Sequence, residues 1–525
     1  MAGKYLLGVD VGTSGTKGVI TDLDGRVLAF RSIETELVSP YPGWFEHDAE
    51  KVWWGSFCWT TRALIECAGV KPDEIAAVGV SAICPDMLPL DEQGRPLRPG
   101  ILYGIDSRAQ GEIEELNALL GRDFIFKRSV NVLSGQSITP KYLWFKRHEP
   151  ELCARTRKVH SATGYLVYKL TEQHVVDYGI AVFYTPIFDP RTFRWDADLA
   201  QKMGVDLELL PQPMPASAVA GAVTPQAAAE SGLAAGTPVV VGACDASTEA
   251  LGAGAVSPGD VAMTVGSTIN MFVLTTEVKS DPGLAFLPYV VPGVYAIGAG
   301  TATGASVTRW FRDNFGQVEM ETERLLGLNA YRLLSDQAAT APPGSAGLLV
   351  LPYFAGERTP IWDPRARGLV MGLTLAHKRA HVYRAILEGT AYSVRHNLDV
   401  MNALGTPIKR VVACGGGARN DLWMQIMSDV LGVPIEITAA NYGSPYGCAY
   451  LAGYGAGVFS DFDALVNRWV RIAQRFEPNP ALRSVYNRYY ETYRRTYEHV
   501  KGEMHVLAQL SCETGDNQCT NGTGK

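Results

Sequence analysis

Leu6-Leu7-Gly8-Val9-Asp10-Val11-Gly12-Thr13-Ser14-Gly15-Thr16-Lys17-Gly18-Val19-Ile20 reads as an apolar strand, a turn of glycines and hydroxyl residues, and a second apolar strand. Where glycine leaves the backbone uncovered, N–H and side-chain O–H groups can converge on a phosphate. Thr13, Ser14 and Lys17 are therefore candidate phosphate contacts. Asp10, closing the first strand, stands where a carboxylate can hold Mg2+ or its water while phosphates supply other oxygens. An ordinary hairpin with a polar tip is the competing reading. The absence of Gly-x-x-x-x-Gly-Lys-Ser/Thr excludes a Walker-type loop, and no Gly-x-Gly-x-x-Gly follows this strand, which disfavours a dinucleotide fold.

Met263-Thr264-Val265-Gly266-Ser267-Thr268-Ile269-Asn270 echoes the pattern of residues 9–14. One such hairpin in each half suggests a duplicated domain with phosphate bound between the halves, and makes Gly266 and Ser267 second-loop candidates. Two large domains are also what 525 residues predict. Strands joined by short turns over residues 5–33, one of them Asp24-Gly25, fit the opening meander of an RNase H-like α/β domain.

A net charge of -7 argues against a general nucleic-acid surface. Nine cysteines without a Cys-x-x-Cys pair suggest a reducing compartment. No signal-peptide pattern and no apolar run of membrane-spanning length stands out, so the expectation is a cytoplasmic protein with no membrane partner. Residues 508–525, polar and rich in glycine, are expected to be a disordered tail.

Along the chain, the apolar run 75–81 leads into Cys84-Pro85-Asp86, and Asp106 and Arg108 follow in another loop. Loops at the carboxyl ends of strands bind ligands, so all three are candidate substrate contacts, with ion pairing or helix capping as the alternative. Residues 215–237 read as a linker, and the strand after it ends in Asp245, a general base or a helix cap. Gly298 to Ser306 is a Gly/Thr loop opening a helix, a favourable place for phosphate. Val411 to Cys414 is a strand entering Gly415-Gly416-Gly417, a turn that either lets a flat ring lie on the backbone or serves tight packing.

Three further runs carry a family resemblance: Ser137 to His148, Gly368 to Glu388, and Gly356-Glu357-Arg358-Thr359-Pro360 with Trp362-Asp363. Together they resemble the FGGY family of carbohydrate kinases, in the actin, Hsp70 and sugar-kinase superfamily, and the run from Gly356 is most similar to xylulokinases. The resemblance implies two RNase H-like domains flanking an active-site cleft: residues 4–252, with the sugar site, first phosphate loop and catalytic Asp, and residues 253–500, with the nucleotide site. It implies ATP and Mg2+ as cofactors and a sugar or polyol as substrate, and leaves a homodimer open. Asp245 would be the general base, Asp10 would hold Mg2+ through water, and Thr13, Ser14, Lys17, Gly266, Ser267 and Gly304 would surround the phosphates. Gly416 and Asn420 would border adenosine.

The sugar end departs from the family pattern. Cys84-Pro85-Asp86 stands where xylulokinases carry Met-His-Gly, Ala246 replaces an amide residue, and Gly104 replaces a Trp. Asp86 is expected to restore part of the lost polar contact. Xylulose leads as acceptor, with ribulose, erythritol and glycerol as alternatives; a sugar sensor or an actin- or Hsp70-like switch is the non-catalytic alternative.

Overall fold

The computed structural model describes residues 3–439 and 442–513. Its apolar, glycine-punctuated opening forms β1 (Tyr5–Val11) and β2 (Gly15–Asp22), antiparallel, with Asp10 opposite Lys17. The Gly12 N–H donates to the Gly15 carbonyl across the turn at 2.9 Å. The Asp22 carboxylate accepts from the Asp24 and Arg26 N–H groups, turning the chain into β3 (Val27–Glu34) and completing the expected meander. A helix, α1 (Ser56–Ala68), buries Phe57 and Leu64 in the core beneath this sheet and stops at Gly69, whose φ of 64° is left-handed. β4 (Ile75–Ala82) returns parallel to β1.

Two helices follow, α2 (Ile138–His148) and α3 (Ala162–Thr171), the second capped by the Ser161 side chain accepting from the Gly164 N–H. The stretch 215–237, read as a linker, is structured instead. It contains β5 (Val219–Ala222) and a helix, α4 (Pro225–Ser231), in which Thr224 caps, Pro225 occupies the first turn and Gly232 closes the end at φ 79°. The Pro and Gly that suggested a linker are the start and stop signals of this helix. β6 (Pro238–Val240) and β7 (Ala243–Cys244) then pair parallel to β4 and lead into α5 (Asp245–Gly252). The first sheet thus runs β5-β6-β4-β1-β2-β3, with β7 also on β4.

The chain forms two compact units. The first comprises the described residues of Met1–Pro258, Leu274–Ile297 and Ala439–Arg471, and the second those of Gly259–Val273, Gly298–Thr438 and Ile472–Lys525. Three segments of the expected 253–500 domain, 253–258, 274–297 and the described residues of 439–471, therefore belong to the first unit. The returning segment carries the helix Ser444–Gly455, which lies backbone to backbone on its neighbours. A Cβ on Gly8 would stand 1.9 Å from the Pro445 carbonyl oxygen, one on Gly79 2.1 Å from that of Cys448, and one on Gly447 1.9 Å from that of Thr248.

In the second unit β8 (Asp260–Val265) and β9 (Ile269–Thr275) repeat the opening hairpin, with Thr264 opposite Asn270 and the Gly266 N–H donating to the Thr268 carbonyl at 2.9 Å. A helix at α6 (Ala305–Phe315) and a long one at α7 (Arg379–Ala403) follow. β10 (Arg410–Cys414) runs parallel to β8, and after α8 (Asp421–Leu431) β11 (Ile435–Thr438) runs parallel to β10, with β12 (Ile472–Phe476) antiparallel at its side. The last helix, α9 (Arg483–Glu513), buries Tyr486, Tyr490, Tyr493 and Tyr497 at helical spacing. Residues 508–513 of the expected tail are the end of this helix, with Ala508 buried; 514–525 lie outside the described residues. Among the described residues no helix is long and apolar enough to cross a membrane.

Gly447→Val is expected to cost about 3 kcal/mol through overpacking against backbone that cannot rotate away. Gly502→Ala, at an exposed helical site with nothing within 4 Å of the added carbon, is the control and gains up to about 1 kcal/mol. Urea unfolding of both variants checks this, and equal stabilities would contradict it.

Candidate active site

The parallel register of β1 and β4 sets Ser81 beside Asp10, and the Ser81 hydroxyl donates to Asp10 Oδ1 at 2.7 Å. Burial is the main cause pushing the Asp10 carboxyl up to about 6; the Ser81 bond and Lys17 oppose it, and Glu249 adds to it. Asp245 is the first residue of α5, after the cap position held by Cys244. Its Oδ1 accepts from the Ala246 N–H at 2.7 Å, and its carbonyl accepts from the Thr248 and Ser444 hydroxyls, each at 3.0 Å. Burial first, then the charges of Asp10 and Cys244, hold the Asp245 carboxyl well above the usual range. Cys448 of the Ser444–Gly455 helix packs against β1, its Cβ 3.0 Å from where a Cβ on Gly8 would stand.

A buried carboxyl at Asp10 and, beside it, one at Asp245 whose ionisation the Asp10 charge opposes suit a divalent cation, whose charge reverses that penalty. Among the described residues no group of three or more His, Cys, Asp or Glu side chains is placed to cage a metal. Mg2+ held by one carboxylate, waters and substrate phosphates needs no such cage.

At the first turn Thr13 is half-buried with its hydroxyl 3.1 Å from the Tyr103 hydroxyl, while Ser14 and Lys17 are exposed. In the second unit the Ser267 carbonyl accepts from the Gly304 N–H and the Ser306 hydroxyl, both at 2.7 Å, and the Gly266 carbonyl accepts from the Ala305 N–H at 2.8 Å. The turn is thereby seated on the start of α6. A Cβ on Gly304 would lie 2.7 Å from Ile269 Cγ1 and 3.0 Å from the Thr268 carbonyl carbon, so packing on this turn already demands glycine there. Glu357, for which the sequence reading assigned no role, anchors the same loop: its Oε1 accepts from the Ala302 and Arg358 N–H groups and its Oε2 from Ser393. Burial pushes its carboxyl up to about 7.

The triple glycine divides between its two readings. Gly415, at φ 91°, and Gly417 would place a Cβ 2.7 Å from the Val265 carbonyl and 2.4 Å from Val265 Cγ1, whereas a Cβ on Gly416 meets nothing within 4 Å. The outer two serve packing, and only the middle one presents an open face. Asn420 caps α8, its Oδ1 accepting from the Trp423 N–H at 3.1 Å and its Nδ2 donating to Ser335 at 2.9 Å.

Of the candidate substrate contacts, Asp106 is held by protein. Its carboxylate takes Arg108 Nε and Nη2 at 2.9 and 2.7 Å and the Phe45 N–H at 2.7 Å, while Arg108 also donates to Glu46 and lies over the Trp44 ring. That is the ion-pair alternative rather than an open contact. Asp86 differs: fully buried, it accepts from the Ala162 N–H on Oδ2, and Oδ1 has no partner. Burial pushes its carboxyl up to about 8, opposed by the Ala162 bond and the charge of Lys141. Lys141, itself buried, is drawn down to about 8 by burial and donates to the Gly135 carbonyl. Its place in the quoted Ser137 to His148 run was visible in the sequence, but its burial was not.

The FGGY family of carbohydrate kinases matches over residues 5–252 with its N-terminal domain and over 261–456 with its C-terminal domain. A gluconokinase of Bacillus subtilis is 29% identical over 88% of this chain and 90% of its own. An autoinducer-2 kinase of Klebsiella pneumoniae is 31% identical over 94% of each chain. The crystal structure of xylulose kinase from Rhodospirillum rubrum superposes with a TM-score of 0.87 at 33% identity, covering 96% of this chain and 100% of that one. The fold is that of the FGGY sugar-kinase structures. The chain belongs to the FGGY family of carbohydrate kinases.

Asp86 supplies a test of its burial. Because its folded value of about 8 exceeds the ordinary 3.8, the folded chain binds more protons across that window, and stability falls as pH rises through it. Asp86→Asn removes that share of the fall, so in urea unfolding the variant gains on the parent from acid pH toward pH 8. Parallel stability curves would contradict the burial-driven shift.

Proposed function

We propose that this chain is an ATP-dependent kinase that moves the γ-phosphoryl group of MgATP to a hydroxyl of an uncharged ketose or polyol, with xylulose the leading acceptor. The observation that carries this is the Asp245 carboxyl, held well above its ordinary range at the head of α5 beside Asp10. A base works best when its pKa approaches the operating pH, and Asp245 has been moved in that direction. It takes the proton from the acceptor hydroxyl as oxygen attacks phosphorus. Phosphoryl transfer asks little covalent help of a protein and depends on alignment and charge neutralisation, the latter supplied by Mg2+ when bound.

In this reading Asp10 orients the metal's water, and Thr13, Ser14 and Lys17 of the first turn contact the phosphates. Gly266, Ser267 and Gly304 serve the phosphates of the same nucleotide. Gly416 offers its open face to the adenine ring, and Asn420 keeps the neighbouring backbone in place through its cap. Residues 4–252 provide the sugar site and 253–500 most of the nucleotide site. Asp86 Oδ1 meets an acceptor hydroxyl. The relatives' names span gluconate, xylulose and autoinducer-2, and the likeness of Gly356 to Asp363 to xylulokinases supports xylulose among them.

A coupled ADP-release screen over xylulose, ribulose, erythritol, glycerol and gluconate tests this. One uncharged acceptor is expected to release ADP, and Asp245→Ala to lower that rate by about 10²- to 10⁴-fold while nucleotide binding persists. A rate that survives in the variant removes the base assignment, and silence with every acceptor favours a sensor. Asp86→Ala is expected to raise the acceptor's KM at least tenfold with the KM for ATP unchanged; an unaltered acceptor KM would take Asp86 out of the site.

A further inference from the structure

We propose that His505 is a positioning residue for the nucleotide: from the last helix it clamps Asp363, and through Asp363 it keeps the Gly300 to Gly304 loop in the shape that the phosphates need. His505 Nε2 lies 2.7 Å from Asp363 Oδ2, and the Tyr497 hydroxyl, also on α9, donates to the same oxygen at 2.8 Å. The Arg365 N–H donates to Oδ1 at 3.0 Å, so one carboxylate collects donors from three places in the chain. Although burial opposes it, the bonds from His505 and Tyr497 hold the Asp363 carboxyl below its ordinary range. An ionised carboxylate only accepts, so the imidazole donates from Nε2.

What this clamp holds is a closed loop. The Glu357 N–H donates to the Asp363 carbonyl at 2.9 Å and the Asp363 N–H to the Glu357 carbonyl at 3.0 Å, pairing the two residues across it. Between them Trp362 stands at φ 46°, a left-handed backbone that a bulky residue keeps only where its surroundings over-determine it. The three donors on the next residue, Asp363, supply that constraint. The other arm of the loop grips the phosphate side. Glu357 Oε1 accepts from the Ala302 N–H at 2.6 Å, and the Thr359 hydroxyl accepts from the Gly300 N–H at 2.8 Å and donates to the Gly300 carbonyl at 2.9 Å. The Gly304 N–H then reaches the Ser267 carbonyl of the second turn. Every link lies within the second compact unit.

His505 is thus joined to the expected phosphate loop by hydrogen bonds and short backbone runs, without touching a phosphate itself. Because that loop serves the nucleotide and not the acceptor, loosening it raises the KM for ATP and leaves the acceptor KM alone. This consequence rests on the kinase reading above; the clamp itself does not. The competing role is a buttress that only seats α9, and it differs in what its loss disturbs.

The test compares the full-length variants His505→Ala, His505→Gln and Tyr497→Phe with the parent. In His505→Ala, amide hydrogen exchange over residues 298–306, read by mass spectrometry, is expected to quicken about tenfold. The KM for ATP is expected to rise about tenfold with the acceptor KM unchanged. His505→Gln, whose amide nitrogen can donate from the place of Nε2, is expected to restore both. Tyr497→Phe removes another donor to the same oxygen while keeping the ring, and is expected to shift both readouts in the same direction; it decides the matter if His505→Ala does not fold. Unchanged exchange over 298–306 in a folded variant of lowered stability would make the pair a buttress of α9 and overturn the proposal, as would equal rises in both KM values. If the parent turns over no ATP with any acceptor, the kinase reading fails and the exchange map still decides the clamp.

Discussion

The structure depends on a contact with no room for a side chain: the Ser444–Gly455 helix resting on the backbone of β1, β4 and α5 at Gly8, Gly79 and Gly447. Hydrogen is the only substituent these positions accept, so the helix cannot slide without colliding with carbonyl groups. It thereby fixes the ends of β1 and β4 and the head of α5 with respect to one another. Those ends carry Asp10, Ser81 and Asp245, with the Ser81 hydroxyl donating to Asp10. The precision needed at a reacting centre comes here from rigid elements rather than from loops.

Burial opposes ionisation of both Asp10 and Asp245, with Glu249 adding to it at the first and the charges of Asp10 and Cys244 at the second, and their carboxyls rise accordingly. A structure selected for stability alone would not keep such a pair. Groups of this kind concentrate where chemistry is done, since a carboxyl that holds its proton more tightly is a better base once it loses it. The first unit repeats the theme where buried Asp86 and buried Lys141 are each driven toward neutrality. By contrast Asp106, saturated by Arg108 and the Phe45 N–H, is part of the scaffold.

Local patterns made the framework legible. Both hairpins follow from an apolar strand and a glycine turn, because each is stabilised by residues close in sequence. Asp10 and Asp245 were legible for the same reason, as polar ends of apolar strands. The return of 439–471 to the first unit was not, since its only local sign, the small residues around Ser444 and Gly447, acquires meaning from partners hundreds of positions away. The 215–237 stretch misled because Pro and Gly mark both linkers and helix ends. Gly304 and the outer members of the triple glycine show a further limit: a residue in a family motif can be demanded by packing as much as by a ligand.

The central claim is that Asp245 acts as a base and forms no bond to phosphorus. The stereochemical course of transfer tests this most directly, using ATP made chiral at the γ-phosphorus with oxygen isotopes and the acceptor that supports ADP release. A single in-line displacement by the acceptor hydroxyl predicts inversion at phosphorus. Retention would mean two displacements through a phosphorylated enzyme group, and would contradict the account.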